Sequence, residues 1–251
     1  MLLSWSFSLL ERTTRSGSSP ESVPPPGKVT YHINDNLRQQ AQTFFQEWFV
    51  LQVAKNPSDY TKVSLDDLMD YVGGSQPPAS EFIEEPREGY IRFVQIRDYE
   101  SNSHVTYIPI SSKNKICDES DIMIARYGAA LGRICFGING AYNVALAKVF
   151  PKQIYYREFL RCYLSSREFY EGINNKGGRS AQAGFNRGDI KSFELFVPKD
   201  NSIFHKFDAI AKPMFQNQLC NLKEIQKLSL LRDTLLPKLI AGEIDRSCIQ
   251  V

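Results

Sequence analysis

The chain has 251 residues, 42% hydrophobic and 12% aromatic, enough for one globular core with further elements, which excludes a wholly disordered chain. Thirty Lys and Arg against 28 Asp and Glu leave a net charge of +2, so any polyanion-binding surface must arise from the distribution of charge and not from its total. Five cysteines at scattered positions (Cys117, Cys135, Cys162, Cys220, Cys248) form no CxxC pair, which points to a reducing, cytoplasmic setting. No apolar run reaches the roughly 20 residues needed to cross a bilayer, so no membrane association is expected. The apolar opening at 1–10 lacks the basic lead and small-residue cleavage site of a secretory signal.

Residues 16–27 (SGSSPESVPPPG) are Ser, Pro and Gly rich and read as a linker, so 1–27 is taken as a flexible tail. A helix is predicted over 28–56, because Ile33, Leu37, Ala41, Phe44, Trp48 and Leu51 recur at steps of three or four. Pro57 and Asp59 stop it. Residues 57–202 contain short β-rich runs at 90–96, 106–110, 122–125 and 193–197, with a helical pattern at 155–173, and read as a mixed α+β module. A second long helix is predicted over 203–246, where Phe207, Ile210, Phe215, Leu219, Leu222, Ile225, Leu228, Leu231 and Leu235 share a face, followed by a tail at 247–251. Pro213 is expected to kink or restart this helix, and Pro237 with Gly242 to end it. The pairing face should comprise Ile33, Leu37, Phe44 and Trp48 from the first helix with Leu219, Leu222, Ile225 and Leu228 from the second.

Charge is uneven within the module. Residues 57–125 carry six basic and thirteen acidic side chains, whereas 126–199 carry twelve basic and five acidic. Either the module is electrostatically polarised and attracts a polyanion, or the halves interleave in space and cancel. The stretch 174–187, NNKGGRSAQAGFNR, strings amides, a hydroxyl and cations along a glycine-loosened backbone. Arg pairs with guanine, Asn and Gln with adenine, and Lys with phosphate, so Lys176, Arg179, Ser180, Gln182, Asn186 and Arg187 are candidate DNA-binding residues. Arg126 and Tyr127, launched from a strand into a glycine turn, are a second group, although Arg126 could equally pair with an acid such as Asp121. Arg97, at the end of another strand, is a third and weaker candidate.

Enzymatic signals are weak. No phosphate-binding glycine loop is present, and His32, His104 and His205 are not spaced as metal ligands, so no metal site is expected. Asp189 and Lys191, with Asp121 upstream, match a nuclease pattern only loosely.

The closing segment LRDTLLPKLIAGEI at 231–244 closely resembles the end of the specificity subunits of type I restriction-modification enzymes. The runs NDNLRQQAQTFFQEWFV (34–50), DIMIARYGAALGRICF (121–136) and SAQAGFNRGDIKSFELFVP (180–198) resemble, in turn, that family's helix, a core strand and turn of its target-recognition domain, and its closing loop. The resemblance implies one target-recognition domain between two helices that pair as an antiparallel coiled coil, either a half-subunit of the family or the second half of a longer subunit. It further implies a non-catalytic chain that reads half of a bipartite site in double-stranded DNA. Its partners would be modification subunits, which bind S-adenosylmethionine and methylate adenine N6, restriction and motor subunits, and a second copy in a homodimer. No cofactor is implied in this chain. A helical protein-interaction module that does not read DNA is the alternative.

Overall fold

A computed structural model of the chain describes residues 28–177 and 184–243. The linker at 16–27, the tail at 247–251 and the reading residues Arg179, Ser180 and Gln182 lie outside the described residues. Helix α1 (Lys28–Phe45) continues through a π-helical stretch, Gln46–Leu51, into α2 (Gln52–Lys55). Pro57 opens the turn that ends it, and Tyr60 folds back to donate its hydroxyl to the Trp48 carbonyl at 2.9 Å.

The strands come next as β1 (Tyr60–Ser64), β2 (Met69–Gly73), β3 (Tyr90–Val94), β4 (Thr106–Pro109), β5 (Ile116–Cys117), β6 (Met123–Ala125), β7 (Ile134–Cys135), β8 (Gly140–Tyr142), β9 (Leu146–Pro151) and β10 (Glu194–Pro198). Between β9 and β10 lie α3 (Arg157–Leu164), α4 (Arg167–Gly177) and α5 (Arg187–Lys191), and α6 (Ser202–Ile240) closes the fold. Two four-stranded sheets have the orders β2-β9-β6-β7 and β4-β3-β8-β5, and β1 pairs with β10. All pairings are antiparallel except β3 with β8. The chain is therefore α+β, with a long C-terminal helix.

The core centres on rings from three helices. Phe45 and Phe49, Phe159 of α3, and Phe204 and Phe207 of α6 are all buried, and the Phe49 ring stands 5.1 Å from Phe207 and 4.7 Å from Phe159. Each buried Phe contributes about 1.5–3 kcal/mol by leaving water. Helices α1 and α6 run antiparallel: Phe45 and Trp48 meet Phe207, while Asn34 donates to the Gln218 carbonyl at 3.3 Å and accepts from Asn221 at 2.7 Å. A buried ion pair ties α3 to the module, with Arg161 donating to Glu158 at 2.8 Å and to the Ser120 carbonyl at 2.9 Å. The same guanidinium lies 4.8 Å from the Phe215 ring centroid of α6.

The helical faces differ from those the spacing predicts. Ile33 is 47% exposed and Phe44 37%, whereas Ala41, Phe45 and Phe49 are buried and Leu37 and Trp48 half-buried. Apolar residues sit at both 44 and 45 and again at 48, 49 and 50, so two stripes satisfy the same spacing. The wide turns of the π-helical stretch bring Phe49 onto the buried face. On α6, Leu219 and Leu222 lie beside Gly137 of the module, Ile225 is buried, and Leu228 is 38% exposed. Pro213 does not restart the helix: α6 is continuous through it and past Pro237 to Ile240.

The acidic and basic halves of the module interleave. Because β2 and β6 flank β9 and β1 flanks β10, Lys148 pairs with Asp121 at 2.5 Å, Lys62 with Glu194 at 2.5 Å, and Arg187 with Asp70 at 2.9 Å. Arg133 reaches Glu100 at 2.5 Å. The expectation of a polarised module thus gives way to one of locally paired charges.

Candidate nucleic-acid interface

The carboxyl ends of three strands, β2, β3 and β6, converge on the short connection between β8 and β9. From the end of β2, the Gly74 and Ser75 amides donate to the Leu146 and Tyr142 carbonyls at 3.0 and 3.1 Å. From the end of β6, the Arg126 amide donates to the Ala145 carbonyl at 2.8 Å. The Asn143 amide donates to the carbonyl of Val94, the last residue of β3, at 3.1 Å. The junction of the two sheets is thus a rigid backbone platform carrying Ser75, Arg126, Tyr127 and Asn143. Three side-chain atoms here, Ser75 Oγ, Arg126 Nε and Asn143 Oδ1, are shut from solvent without a hydrogen-bond partner. Unsatisfied buried polar atoms are uncommon in folded proteins and each costs about 1–3 kcal/mol, so their concentration at one junction marks a polar site and not simple core.

The Arg126 guanidinium lies 5.1 Å from the Tyr127 ring centroid and 5.8 Å from that of Phe185, within cation–π range. Asp121, the alternative partner for Arg126, is engaged by Lys148, and no described carboxylate pairs with Arg126. Gly184 makes the approach of Phe185 possible: a Cβ there would fall 2.5 Å from the Arg126 carbonyl oxygen and 2.3 Å from the Tyr127 ring. Phe185 in turn packs edge-on against Tyr71 of β2, centroids 5.2 Å apart. Burial pushes the Tyr71 hydroxyl above its ordinary pKa, with Arg126 and Arg187 opposing.

The remaining expected residues divide. Asn186 is exposed and caps α5: its side chain accepts from the Asp189 amide at 3.1 Å, while the Asp189 carboxylate accepts from the Asn186 amide at 2.7 Å. Its neighbour Arg187 is exposed and reaches Asp70 beside Tyr71. The structure therefore brings Arg126 and Tyr127 to Phe185 at the carboxyl end of β6, while Asn186 and Arg187 follow Phe185 in the chain and Arg187 reaches Asp70 near the start of β2. Lys176 sits in the last turn of α4 and not in a loop, its ammonium 4.0 Å from the Phe193 ring centroid and bonded to Ser192. Arg97 is exposed after β3, 3.9 Å from the buried Asp98, whose carboxyl desolvation raises above the usual carboxylate range. Neither is brought into contact with Arg126.

Sequence reasoning missed Asp70, Tyr71, Gly73, Ser75, Asn143 and Phe185. The Gly73-Gly74 doublet and the glycine before Phe185 were the available signals. Asp189, considered for metal chemistry, is occupied as a helix cap, and among the described residues no cluster of His, Cys, Asp and Glu could hold a metal ion. No described helix is long and apolar enough to cross a membrane.

A family model described as the type I restriction modification DNA specificity domain matches residues 57–226. The specificity subunit of the type I restriction enzyme MjaIX from Methanocaldococcus jannaschii is 23% identical over 239 residues, covering 84% of this chain and 54% of its own length. The MjaVIII specificity subunit from the same organism is 26% identical over 108 residues, covering 43% of this chain and 24% of its own. The crystal structure of a type I restriction-modification system S subunit from M. genitalium shares the fold, with a TM-score of 0.59 at 17% identity over 85% of this chain and 55% of that one. The chain spans about half the length of MjaIX and of the M. genitalium subunit. With well over half of its residues matched by the family model, the chain belongs to the type I restriction-modification DNA specificity family.

Proposed function

We propose that the chain is the sequence-reading component of a type I restriction-modification complex in the cytoplasm. Residues 57–202 form the target-recognition domain, and the flanking helical segments Lys28–Lys55 and Ser202–Ile240 form its scaffold. The observation that carries this reading is Arg126 and Tyr127 on a strand-end platform, with Phe185 against Arg126 and the exposed Asn186 and Arg187 next in sequence, in a chain of the DNA specificity family. A platform of strand ends fixes donors to within the tolerance that base edges demand. Arg179, Ser180 and Gln182, which precede Gly184 in the chain, are further reading residues of the same proposal. Lys176 and Arg97 serve as phosphate contacts.

The chain reads one half of a bipartite site and holds modification subunits, which use S-adenosylmethionine to methylate adenine N6 after taking the base out of the stack. Restriction and motor subunits join the same assembly. Antiparallel helices α1 and α6 form the coiled-coil spacer, and the exposed leucines at the end of α6 meet a second copy of the chain about a twofold axis. Purified complex with a modification subunit, S-adenosylmethionine and a randomised duplex library tests the reading. Methylated products enriched in one sequence are expected, and methylation spread evenly over sequences overturns it.

A further inference from the structure

Gly73 is the last residue of β2 and pairs with Ala147 of β9. Its φ is not in the left-handed region, so the backbone there does not demand glycine. Glycine in a strand normally weakens it, because it brings conformational freedom and no side chain to pack. What its missing side chain permits is specific. A Cβ at Gly73 would stand 2.5 Å from Arg126 Nη1, and its other near neighbour is Arg126 Cζ at 3.5 Å. No backbone atom lies within 4 Å of that position among the three nearest heavy atoms. The glycine therefore makes room for one group only, the Arg126 guanidinium.

That guanidinium is bounded on three sides: Gly73 beneath it, Tyr127 on one flank and Phe185 on another. Its Nε is buried without a partner, so its outward hydrogen-bonding capacity rests with the two Nη groups. A cation that merely neutralises phosphate needs no such orientation, because the attraction is nearly independent of angle. A fork confined on several sides, as Arg126 is by Gly73 and the Tyr127 and Phe185 rings, suits bidentate pairing with the two acceptors of a guanine edge, which depends on a fixed orientation.

We infer that Gly73 is a positioning residue that lets Arg126 lie in the plane from which it reads a guanine edge, so that Arg126 specifies a base and does not simply bind the DNA backbone. The inference rests on the proposed DNA-reading function. In Gly73→Ala the added methyl displaces the fork while leaving the strand, its hydrogen bonds and the charge intact.

The test uses the complex of the full chain with its modification subunit, S-adenosylmethionine and a randomised duplex library, comparing methylated products for wild type, Gly73→Ala, Arg126→Ala and the double variant. Gly73→Ala should relax preference at a single guanine position by about tenfold, in line with the worth of one bidentate pair. Arg126→Ala should relax the same position, and the double variant should match Arg126→Ala alone, because the methyl acts only through the guanidinium. Binding to random-sequence duplex and its salt dependence should be unchanged in Gly73→Ala. A second variant, Phe185→Leu, keeps apolar volume but removes the flat face and should relax the same position. Unchanged site preference in Gly73→Ala and Phe185→Leu overturns the inference, as does a Gly73→Ala effect that persists undiminished without Arg126. A wild-type complex that methylates without sequence preference is a different failure, that of the DNA-reading function itself.

Discussion

The two halves of α6 share one helix and one apolar periodicity but have opposite surroundings. From Phe204 to Phe215 the buried face meets rings from α1 and α3 and the Arg161 guanidinium. From Leu228 to Ile240 the leucines at 228, 230, 231, 235 and 236 are exposed. Antiparallel pairing explains the difference: Asn34 of α1 already lies opposite Gln218 and Asn221, so the described part of α1 has few residues left to cover α6 beyond that point. The first half of α6 thus holds the module together, and the second leaves an apolar stripe exposed. An apolar stripe in sequence reports that a face will be covered, without saying whether by the same chain.

Substitutions in the two halves should therefore separate stability from assembly. The largest effect is expected at Phe207, which is fully buried and touches Phe45, Trp48 and Phe49. Phe207→Ala should cost about 3–5 kcal/mol in denaturant unfolding of the isolated chain, as ring loss leaves a cavity. A loss under about 1 kcal/mol would remove the distinction between the halves. Glu158→Ala comes next, at about 3 kcal/mol, because it strands the buried Arg161 charge between α3, the Ser120 turn and Phe215. By contrast, Leu231→Ala with Leu235→Ala should move isolated-chain stability by only about 0.5 kcal/mol each. The same pair should shift self-association, read by sedimentation, by about tenfold or more. If sedimentation is unchanged, the exposed half has another partner.

The module platform offers the parallel contrast between structure and recognition. Arg187 is exposed and its pair with Asp70 is solvent-screened, so Arg187→Ala should change stability by less than about 1 kcal/mol. Its effect should appear in the sequence profile of methylation, and an unchanged profile would confine reading to Arg126 and the segment at 178–183.

Much of this was legible in the sequence where the signal was local. The two helices and the strands beginning at Tyr90 and Thr106 emerge from periodicity and punctuation within a dozen residues. Strands β5 and β7 are two residues each, too short to show alternation, and β2 carries Asp70 and a terminal glycine, which read as loop. Pairing of β2 with β9 spans some 80 positions of chain, and nothing local announces it. The same holds for the site: Arg126 and Tyr127 stand out as a cation and an aromatic at a strand end, but Gly73 and Phe185 matter only because folding brings them to Arg126.

The smallest and most local test concerns where cover on α6 gives way. Cys220 is exposed, between Leu219 and Leu222 that face Gly137 and the leucines beyond that face solvent, whereas Cys117, Cys135 and Cys162 are buried. Desolvation pushes the Cys117 and Cys135 thiols up to about 11, so at pH 8 they remain protonated as well as inaccessible. Brief alkylation at pH 8 and subsequent peptide mapping should label Cys220 and spare Cys117, Cys135 and Cys162, and unfolding should equalise these four of the five cysteines. Labelling Cys135 as fast as Cys220 in native protein would mean that the β7 edge opens readily. Protection of Cys220 that rises with protein concentration would instead place the self-association contact nearer the middle of α6 than Leu231, and so move the boundary between its halves toward Phe215.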